Sequence, residues 1–196
     1  MPVKHALLWV ALFVWPSAAL SQDEGQYNVV PAHSQIRFSV KKWSVLDVEG
    51  LFTRYRGEIR YDPQRPERCA INLEVETASV VTGDPKRDES LLDPQFFDSN
   101  RVPLMKFAST KVTRIGKDEM LVAGNFTIKD TTKNIELRVQ LLGMQNIPGE
   151  GRLATFQTQL VLDRRTYGVL GGPLSRTMIG NDVSIRLTLG TKRTAP

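Results

Sequence analysis

Apolar residues at every second position dominate this chain of 196 residues and restrict its fold more than any other feature. Strict alternation is typical of a β-strand that buries one face and exposes the other to water. Four segments alternate without interruption: 36–40, 71–77, 135–141 and 183–189. Four more alternate less regularly: 48–61, 105–112, 121–128 and 154–162. A further strand is expected from residues 27–30 or from a break of segment 48–61 near Gly57. The chain is therefore predicted to be all-β.

Turn-forming residues separate these strands at short intervals. The separators are Asp62-Pro63 with Arg65-Pro66, Gly116-Lys117-Asp118 and Lys129-Asp130-Thr131. Sequential strands joined by tight turns favour an antiparallel meander. Because the pattern offers no helices to cover a sheet, about eight strands can bury their dry faces by closing into a barrel. A two-sheet sandwich is the alternative that periodicity does not exclude.

One segment interrupts the strand pattern and is predicted to be a short helical insert over about residues 84–98. Asp84 is a suitable N-cap before a proline at the first helical position, and Asp93-Pro94 repeats this arrangement. Four apolar side chains of the insert need a surface to pack on, namely Leu91, Leu92, Phe96 and Phe97. The insert is therefore expected to lie over one opening of the barrel. Residues 171–174 lengthen the final hairpin and are expected to form a second flap.

The first 21 residues are predicted to be a cleavable signal peptide. Lys4 supplies a positive charge, residues 6–15 form an apolar run of ten, and small residues follow at 17–19. A membrane-spanning helix would need roughly 20 apolar residues. Cleavage is expected after Ser21, with cleavage after Ala19 as the alternative. Residues 22–196 are then expected to form a soluble periplasmic protein with one domain.

Basic residues outnumber acidic residues by 26 to 21, which gives a formal charge of +5 and raises the question of a nucleic-acid partner. Removing residues 1–21 takes away Lys4 and lowers the charge to +4. The other basic residues are spread along the chain among acids, whereas nucleic-acid binding needs a clustered stripe with exposed aromatics. Nucleic acid is therefore not expected as a partner. The charge suits solubility and one anion site at a barrel rim.

Candidate catalytic and metal-binding residues are scarce. His33 is the only histidine after residue 21, and Cys69 is the only cysteine of the chain. Neither a zinc site with three or four protein ligands nor an internal disulfide is therefore expected. No Gly-x-Ser-x-Gly motif accompanies His33. Cys69 is interpreted as a small residue at the start of a strand. No catalytic residue and no metal site is predicted.

The alternation also assigns a set of apolar residues to the inside of the barrel. An eight-stranded barrel is either just filled by side chains or able to hold one small ligand. A lining rich in phenylalanine, with methionine, suits an elongated apolar ligand, and a plain hydrophobic core is the alternative. The predicted lining is Phe38, Val40, Phe52, Leu73, Val75, Met105, Phe107, Phe126, Ile128, Leu137 and Phe156, with Phe96 and Phe97 at the mouth.

Several motifs resemble those of one known family. They are segment 82–92 continuing through Phe96-Phe97-Asp98 to 103–107, Ala32-His33-Ser34 with Phe38-Ser39-Val40, segment 48–52 with Gly57, segment 124–128, and Arg165-Thr166-Tyr167-Gly168. Together they resemble the YceI-like family of secreted lipid-binding proteins, and they run in order from about Tyr27 to Leu189. The domain core is therefore placed at about 27–190. Lys41-Lys42-Trp43 and Lys129-Asp130 depart from the family pattern, which has a histidine and a glycine there.

The resemblance implies a single eight-stranded antiparallel, lipocalin-like barrel that holds a polyisoprenoid, a prenyl quinone or a fatty amide. A bound polyprenyl or quinone-type lipid is then the expected ligand, and no other cofactor is expected. We expect a carrier rather than an enzyme. Four side chains are candidates to meet a polar head group: His33, Lys41, Arg87 and Arg165.

Two other functions stay open at this point. One is an enzyme that acts on a prenyl or quinone substrate with His33 as its acid–base residue. The other is a ligand-free structural barrel that binds a partner through its rim. An inner-membrane partner and a second copy of the chain also stay open as partners.

Overall fold

The computed structural model describes residues 23–194. The predicted signal peptide, residues 1–21, lies outside the described residues. Strands make up most of the described part of the chain, in agreement with the alternating pattern. No helix within residues 23–194 combines the length and the apolar composition needed to cross a lipid bilayer.

The described residues contain eleven strands and two α-helices, besides short 3-10 turns and loops. The strands are β1 (Gly25–Val29), β2 (Gln35–Lys42), β3 (Leu46–Phe52), β4 (Tyr55–Tyr61), β5 (Ala70–Glu76), β6 (Val80–Val81), β7 (Leu104–Arg114), β8 (Glu119–Ile128), β9 (Thr131–Ile147), β10 (Gly151–Asp163) and β11 (Ile179–Arg193). The helices are α1 (Pro85–Leu92) and α2 (Pro173–Met178).

The strands close into an antiparallel eight-stranded barrel. The order is β1-β4-β5-β7-β8-β9-β10-β11, and β11 pairs back onto β1 with Tyr27 opposite Arg193. Residues 179–188 of β11 pair instead with β2. The sheet then continues from β2 to β3 and from β3 to β6. Three strands of the barrel are thus each broken in two: β1 with β2, β3 with β4, and β5 with β6. The closing pair excludes the open sandwich.

The breaks occur where the backbone leaves the ladder for a short turn. Pro31 begins a 3-10 turn between β1 and β2, and a second 3-10 turn, Thr77–Ser79, separates β5 from β6. A proline cannot donate to a ladder, so it favours such an interruption. The break in segment 48–61 falls at residues 53–54, between β3 and β4. Gly57, near which the break was expected, lies inside β4 and pairs with Leu73 of β5. Both suggested sources of an extra strand therefore exist.

The helical insert predicted at about 84–98 is present. Asp84 caps α1, because its Oδ1 accepts hydrogen bonds from the backbone N–H groups of Lys86 (3.1 Å) and Arg87 (3.3 Å). The second Asp-Pro pair forms a hydrogen-bonded turn instead of a helix, with the N–H of Phe96 bonded to the Asp93 carbonyl oxygen at 2.9 Å. Residues 171–174, expected as a flap, lead into the short helix α2.

The two ends of the barrel differ in how they are filled. Near β1 the interior is occupied by aromatic side chains: Tyr27 and Phe156 are fully buried, and the rings of Tyr61 and Phe156 meet edge to face with centroids 5.7 Å apart. At the opposite end β6 pairs with β3 but not with β7. The sheet is therefore open between β6 and β7, and only β5 pairs with β7 on this side. The insert that contains α1 connects β6 to β7 across this open side.

Candidate functional site

A cavity of about 450 Å³ occupies the barrel interior between the aromatic floor and the end that bears the two helices. This volume lies within the roughly 300–1,000 Å³ of small-molecule sites in proteins. Its floor includes Ile59, Ile71 and Phe156, and its mouth lies between α1, α2 and the β2–β3 hairpin. The cavity can therefore accept a ligand from one end.

All thirteen residues predicted to line the interior contribute to this cavity. Phe38, Val40, Phe52, Leu73, Val75, Met105, Phe107, Phe126, Ile128, Leu137 and Phe156 come from the strands, and Phe96 and Phe97 from the insert. The period of two places them on one face of each strand, and closure turns that face inward. Other apolar residues in the same phase of their strands also line the cavity, among them Ile71, Val139, Leu160 and Ile185.

The exposure of the inward side chains shows that the upper interior is hollow. Phe38, Val40, Leu160 and Ile185 face the lumen yet are only partly buried. A close-packed interior would bury all of them, as the floor buries Ile59. Of the two alternatives, a filled and a hollow barrel, the structure therefore has the hollow one above the floor.

The insert closes part of the mouth by aromatic packing. The Phe97 ring meets the Phe52 ring edge to face, with centroids 5.7 Å apart. Asp88 of α1 accepts hydrogen bonds at Oδ1 from the backbone N–H (2.8 Å) and the hydroxyl (2.6 Å) of Thr82, which holds the helix against the end of β6. The insert is thus fixed at its start and along its apolar face.

A second segment, residues 164–178, lies beside the insert. The N–H groups of Leu170 (3.1 Å) and Gly171 (2.8 Å) both donate to the Gln95 carbonyl oxygen. Lys129 Nζ donates to the carbonyl oxygens of Pro94 (2.7 Å) and Gly168 (3.2 Å) and so bridges the two segments. We call residues 84–98 and 164–178 together the lid, since hydrogen bonds join them into one cover.

The motif Arg165-Thr166-Tyr167-Gly168, a signature of the resemblance noted in the sequence, lies in the first turn of the second lid segment. The 3-10 turn Arg164–Tyr167 ends at Gly168, whose left-handed φ of 73° favours glycine. Tyr167 is buried, and its ring packs edge to face on Phe126 with centroids 5.7 Å apart. The signature therefore anchors the lid on the barrel wall.

Arg164 is the one buried cation of the cavity wall among the described residues. Its Nε donates to the Gly180 carbonyl oxygen (2.8 Å), Nη1 to those of Val169 (2.8 Å) and Leu170 (2.7 Å), and Nη2 to that of Ile179 (3.0 Å). Burial lowers the pKa of this guanidinium, although Asp163 opposes the shift. Arginine nevertheless stays charged at neutral pH, so a positive charge faces an apolar cavity.

Polar groups from α1 reach the mouth. Lys86, Arg87 and Ser90 line the cavity there. Arg87 Nη2 donates to Asp84 Oδ2 at 3.2 Å. This hydrogen bond, together with the positive charge of Arg87, lowers the pKa of the Asp84 carboxyl. The cavity thus has an apolar interior and a basic entrance.

The structure separates the four head-group candidates. Arg87 lines the cavity, whereas Lys41, Arg165 and His33 are not among its lining residues. Lys41 Nζ pairs with Asp47 at 2.8 Å on the outer surface, and Arg165 Nη2 pairs with Asp163 at 2.6 Å. His33 is exposed in the 3-10 turn between β1 and β2.

Sequence reasoning missed Arg164, and the alternation could have found it. Phe156, Thr158, Leu160 and Leu162 of β10 all line the cavity. Continuing this phase by two residues reaches Arg164 and leaves Arg165 on the outside. Lys86 gave no such signal, because its position depends on how α1 sits over the mouth.

Comparison with known proteins gives one family. The YceI-like domain matches residues 27–190 of this chain. A UPF0312 protein of Pseudomonas syringae pv. syringae is 30% identical over 147 residues, which cover 74% of this chain and 77% of that protein. A UPF0312 protein of Vibrio cholerae is 25% identical over 169 residues, 85% of this chain and 89% of its own.

Solved structures share the fold at lower identity. BcnA of Burkholderia cenocepacia superposes with a TM-score of 0.75 at 21% identity, covering 83% of this chain and 98% of BcnA. A domain from Saccharophagus degradans, described as polyisoprenoid binding and implicated in plant cell wall breakdown, gives a TM-score of 0.67 at 16% identity. The match covers 87% of this chain and 99% of that domain.

Proposed function

The chain belongs to the family of YceI-like domains, and from this premise we propose that it is a carrier that holds one elongated apolar lipid in its barrel. The observation that supports this most directly is the hollow cavity of about 450 Å³ with an almost wholly apolar wall. Burial of apolar surface contributes about 25 cal/mol per Å², so affinity for a hydrocarbon chain needs no polar contact. The chain of the lipid would lie along the barrel axis above Phe156.

The proposed ligand class is a polyisoprenoid, a prenyl quinone or a fatty amide. The structural likeness to a domain described as polyisoprenoid binding supports the first of these. Phenylalanine and methionine side chains line the cavity, among them Met105 and Phe107 on β7 and Phe126 on β8. Such side chains adapt to a branched or unsaturated chain.

The head group of the lipid is proposed to lie at the mouth. Arg164 places a buried positive charge on the wall there, and Lys86 and Arg87 add two more basic groups. A carbonyl or phosphate oxygen at this level would gain charge-assisted hydrogen bonds. The lipid would therefore enter with its apolar end first.

We propose binding without catalysis. The enzyme alternative required His33 as its acid–base residue, and this side chain is exposed at the outside of the barrel. Periplasmic location is part of the proposal and depends on residues 1–21 acting as a signal peptide. An inner-membrane partner and a homodimer stay predictions.

The test is to block the cavity without changing the outer surface. Ile185 faces the lumen and Ser184, next to it on β11, faces solvent. Ile185→Trp is expected to lower uptake of a fluorescent prenyl probe at least about ten-fold because the indole fills ligand volume, while Ser184→Trp retains uptake. Native mass spectrometry of detergent-free protein should show a bound lipid that the Ile185→Trp variant lacks. Equal uptake by both folded variants, or a bare mass with no uptake by the unaltered protein, would reject the proposal.

A further inference from the structure

Four large apolar side chains lie exposed together at the mouth of the cavity. Trp43 (54% exposed), Val45 (72%) and Leu46 (51%) form the turn of the β2–β3 hairpin and the start of β3. Leu174 (71%) lies on α2. We call these four residues the rim patch. Scattered exposed apolar residues need no explanation, but several on two adjoining segments beside a ligand entrance indicate an interaction surface.

The hairpin turn and α2 are joined by the backbone. The N–H of Trp43 donates to the Met178 carbonyl oxygen at 2.7 Å, and Lys42 pairs with Ile179 in the sheet. Val40 and Val48 from the hairpin and Ser175 from α2 line the cavity just below. The rim patch is therefore continuous with the entrance of the proposed ligand site.

The turn holds Trp43 in a conformation that its sequence does not favour. The N–H of Val45 bonds the Lys42 carbonyl oxygen at 3.2 Å, and both central residues have left-handed φ angles, 52° at Trp43 and 63° at Ser44. This tight hairpin turn normally uses Asn-Gly, because a positive φ is strained for a bulky residue. Strain of this kind gathers at functional positions.

The charges in the two segments that carry the rim patch, 41–47 and 173–178, are mainly basic. Lys42 Nζ lies 4.4 Å from the centroid of the Trp43 ring, and Arg176 is exposed on α2. Asp47 is the one carboxylate in segments 41–47 and 173–178, and it pairs with Lys41 at 2.8 Å. An apolar centre with tryptophan and basic neighbours matches the interface of an anionic bilayer, where aromatic rings lie at head-group depth and basic side chains meet phosphates.

We propose that the rim patch docks the barrel, mouth first, on the surface of an anionic lipid bilayer. Trp43, Val45, Leu46 and Leu174 would enter the interface, and Lys42 and Arg176 would contact phosphate groups. The purpose of this docking rests on the proposed function, because an apolar chain could then pass from the bilayer into the cavity without crossing water. The docking itself can be measured on vesicles that contain no isoprenoid.

The experiment uses Trp43 as a local reporter. The chain has three tryptophans, Trp9, Trp15 and Trp43. In the full chain with Trp9→Phe and Trp15→Phe, Trp43 is the only tryptophan whether or not residues 1–21 are removed. Vesicles of phosphatidylglycerol and phosphatidylcholine with brominated chains are expected to quench and blue-shift its emission. Vesicles of phosphatidylcholine alone should do so less, because the basic residues gain nothing there.

A matched pair of substitutions identifies the surface. Leu174→Glu, at the rim patch, is expected to weaken vesicle binding at least about ten-fold, since a carboxylate is expensive in the interface. Leu142→Glu changes a similarly exposed leucine on β9 and should leave vesicle binding within about two-fold of the parent. Quenching that is absent in the parent, or equal in the two variants, would overturn the docking proposal.

Two further measurements separate this proposal from its alternatives. Uptake of the soluble prenyl probe in detergent-free buffer tests the cavity alone. A Leu174→Glu protein that takes up the probe but no longer binds vesicles supports docking. A parent protein that takes up no probe rejects the carrier function but not docking. Sedimentation velocity without vesicles tests a second copy as the occupant of the rim patch. A dimer that Leu174→Glu dissociates would overturn the bilayer proposal.

Discussion

Arg164 Nη1 donates to the carbonyl oxygen of Leu170 at 2.7 Å, so a buried cation at the start of the second lid segment holds the rest of that segment. The same guanidinium bonds the Ile179 and Gly180 carbonyl oxygens on the far side of α2. It therefore ties both ends of the α2 segment to the end of β10. One residue thereby joins the lid, the cavity wall and the proposed head-group region.

Arg164→Met is expected to lower the free energy of unfolding by about 2–5 kcal/mol, because buried carbonyl groups lose their donors. Arg164→Lys should recover only part of this loss, since an ammonium lacks the planar fork that reaches several carbonyls. Arg165→Met is the matched control: its side chain is exposed and should matter little. Urea unfolding of the three variants gives the comparison. Equal losses for Arg164→Met and Arg165→Met would contradict the assigned roles.

Two glycines on inward-facing strand positions predict different results on substitution. A Cβ at Gly124 would lie 2.7 Å from the Ala108 backbone oxygen and 2.5 Å from Phe107, so Gly124→Ala must shift the β7–β8 pair. A Cβ at Gly50 would meet the far edge of the Phe38 ring and the Thr82 methyl group, which can move. Gly124→Ala is expected to cost about 1–3 kcal/mol in urea unfolding, and Gly50→Ala less.

The same pair also tests where Phe38 goes. Phe38 lines the cavity, so in Gly50→Ala the displaced ring is expected to enter it, and uptake of the prenyl probe should fall while the protein stays folded. A Gly50→Ala protein that takes up the prenyl probe as well as the parent does would contradict this packing. A Gly124→Ala protein as stable as the parent would contradict it as well.

Asp62 predicts an acid-sensitive step in stability. Burial of this carboxyl raises its pKa, but hydrogen bonds from the backbone and side chain of Arg65 and from the Gln64 N–H outweigh burial, so the net pKa lies below its usual 3.8. The distances are 2.9, 2.8 and 3.0 Å. A group whose pKa is lower in the folded state stabilises above its unfolded pKa and loses that contribution as pH falls through its folded pKa.

Asp62→Asn should therefore be less stable than the parent at neutral pH, and the difference should shrink below about pH 4, where the unfolded carboxyl becomes protonated. Urea unfolding measured from neutral to acidic pH checks this. A difference between the two proteins that stays constant with pH would show that the Asp62 charge does not contribute.

Cys69 predicts slow thiol chemistry. The side chain is buried just before β5, its Sγ accepts the Asp62 N–H at 3.2 Å, and burial raises the pKa of the thiol. The reactive thiolate is therefore scarce at neutral pH. Labelling with a disulfide reagent should be at least about ten-fold slower in the native protein than in urea. Since the chain has one cysteine, the absorbance of the thiolate that the reagent releases reports Cys69 alone. Rapid labelling of the native protein would contradict the burial of this side chain.

The local elements could be predicted because their causes are local. A period of two gives each strand one apolar face, so it predicts that Phe107 and Phe126 point inward whichever strands they pair with. Asp84 followed by proline marks the start of α1, since the cap bonds the next two N–H groups within its own turn. The order of strands follows from short turns, which leave neighbours in sequence as neighbours in the sheet.

The partners of single polar side chains are less predictable. Alternation along β10 extends to Arg164 and places it on the cavity wall, but its bonds to the carbonyl oxygens of Leu170 and Ile179 depend on where the α2 segment lies. Lys129 adopts a left-handed φ of 53° and bonds Pro94 and Gly168, a bridge between segments far apart in the chain. Such contacts depend on how separate elements meet.

One-sided strands, the residues on their apolar faces and the position of the capped helix can all be read from the amino-acid order. The closure of the barrel through Tyr27 and Arg193, its filled β1 end and the hollow end beneath the hydrogen-bonded lid become visible only in the folded chain. Alternation and capping act within a few residues, whereas barrel closure and lumen volume depend on the number, tilt and packing of all the strands together.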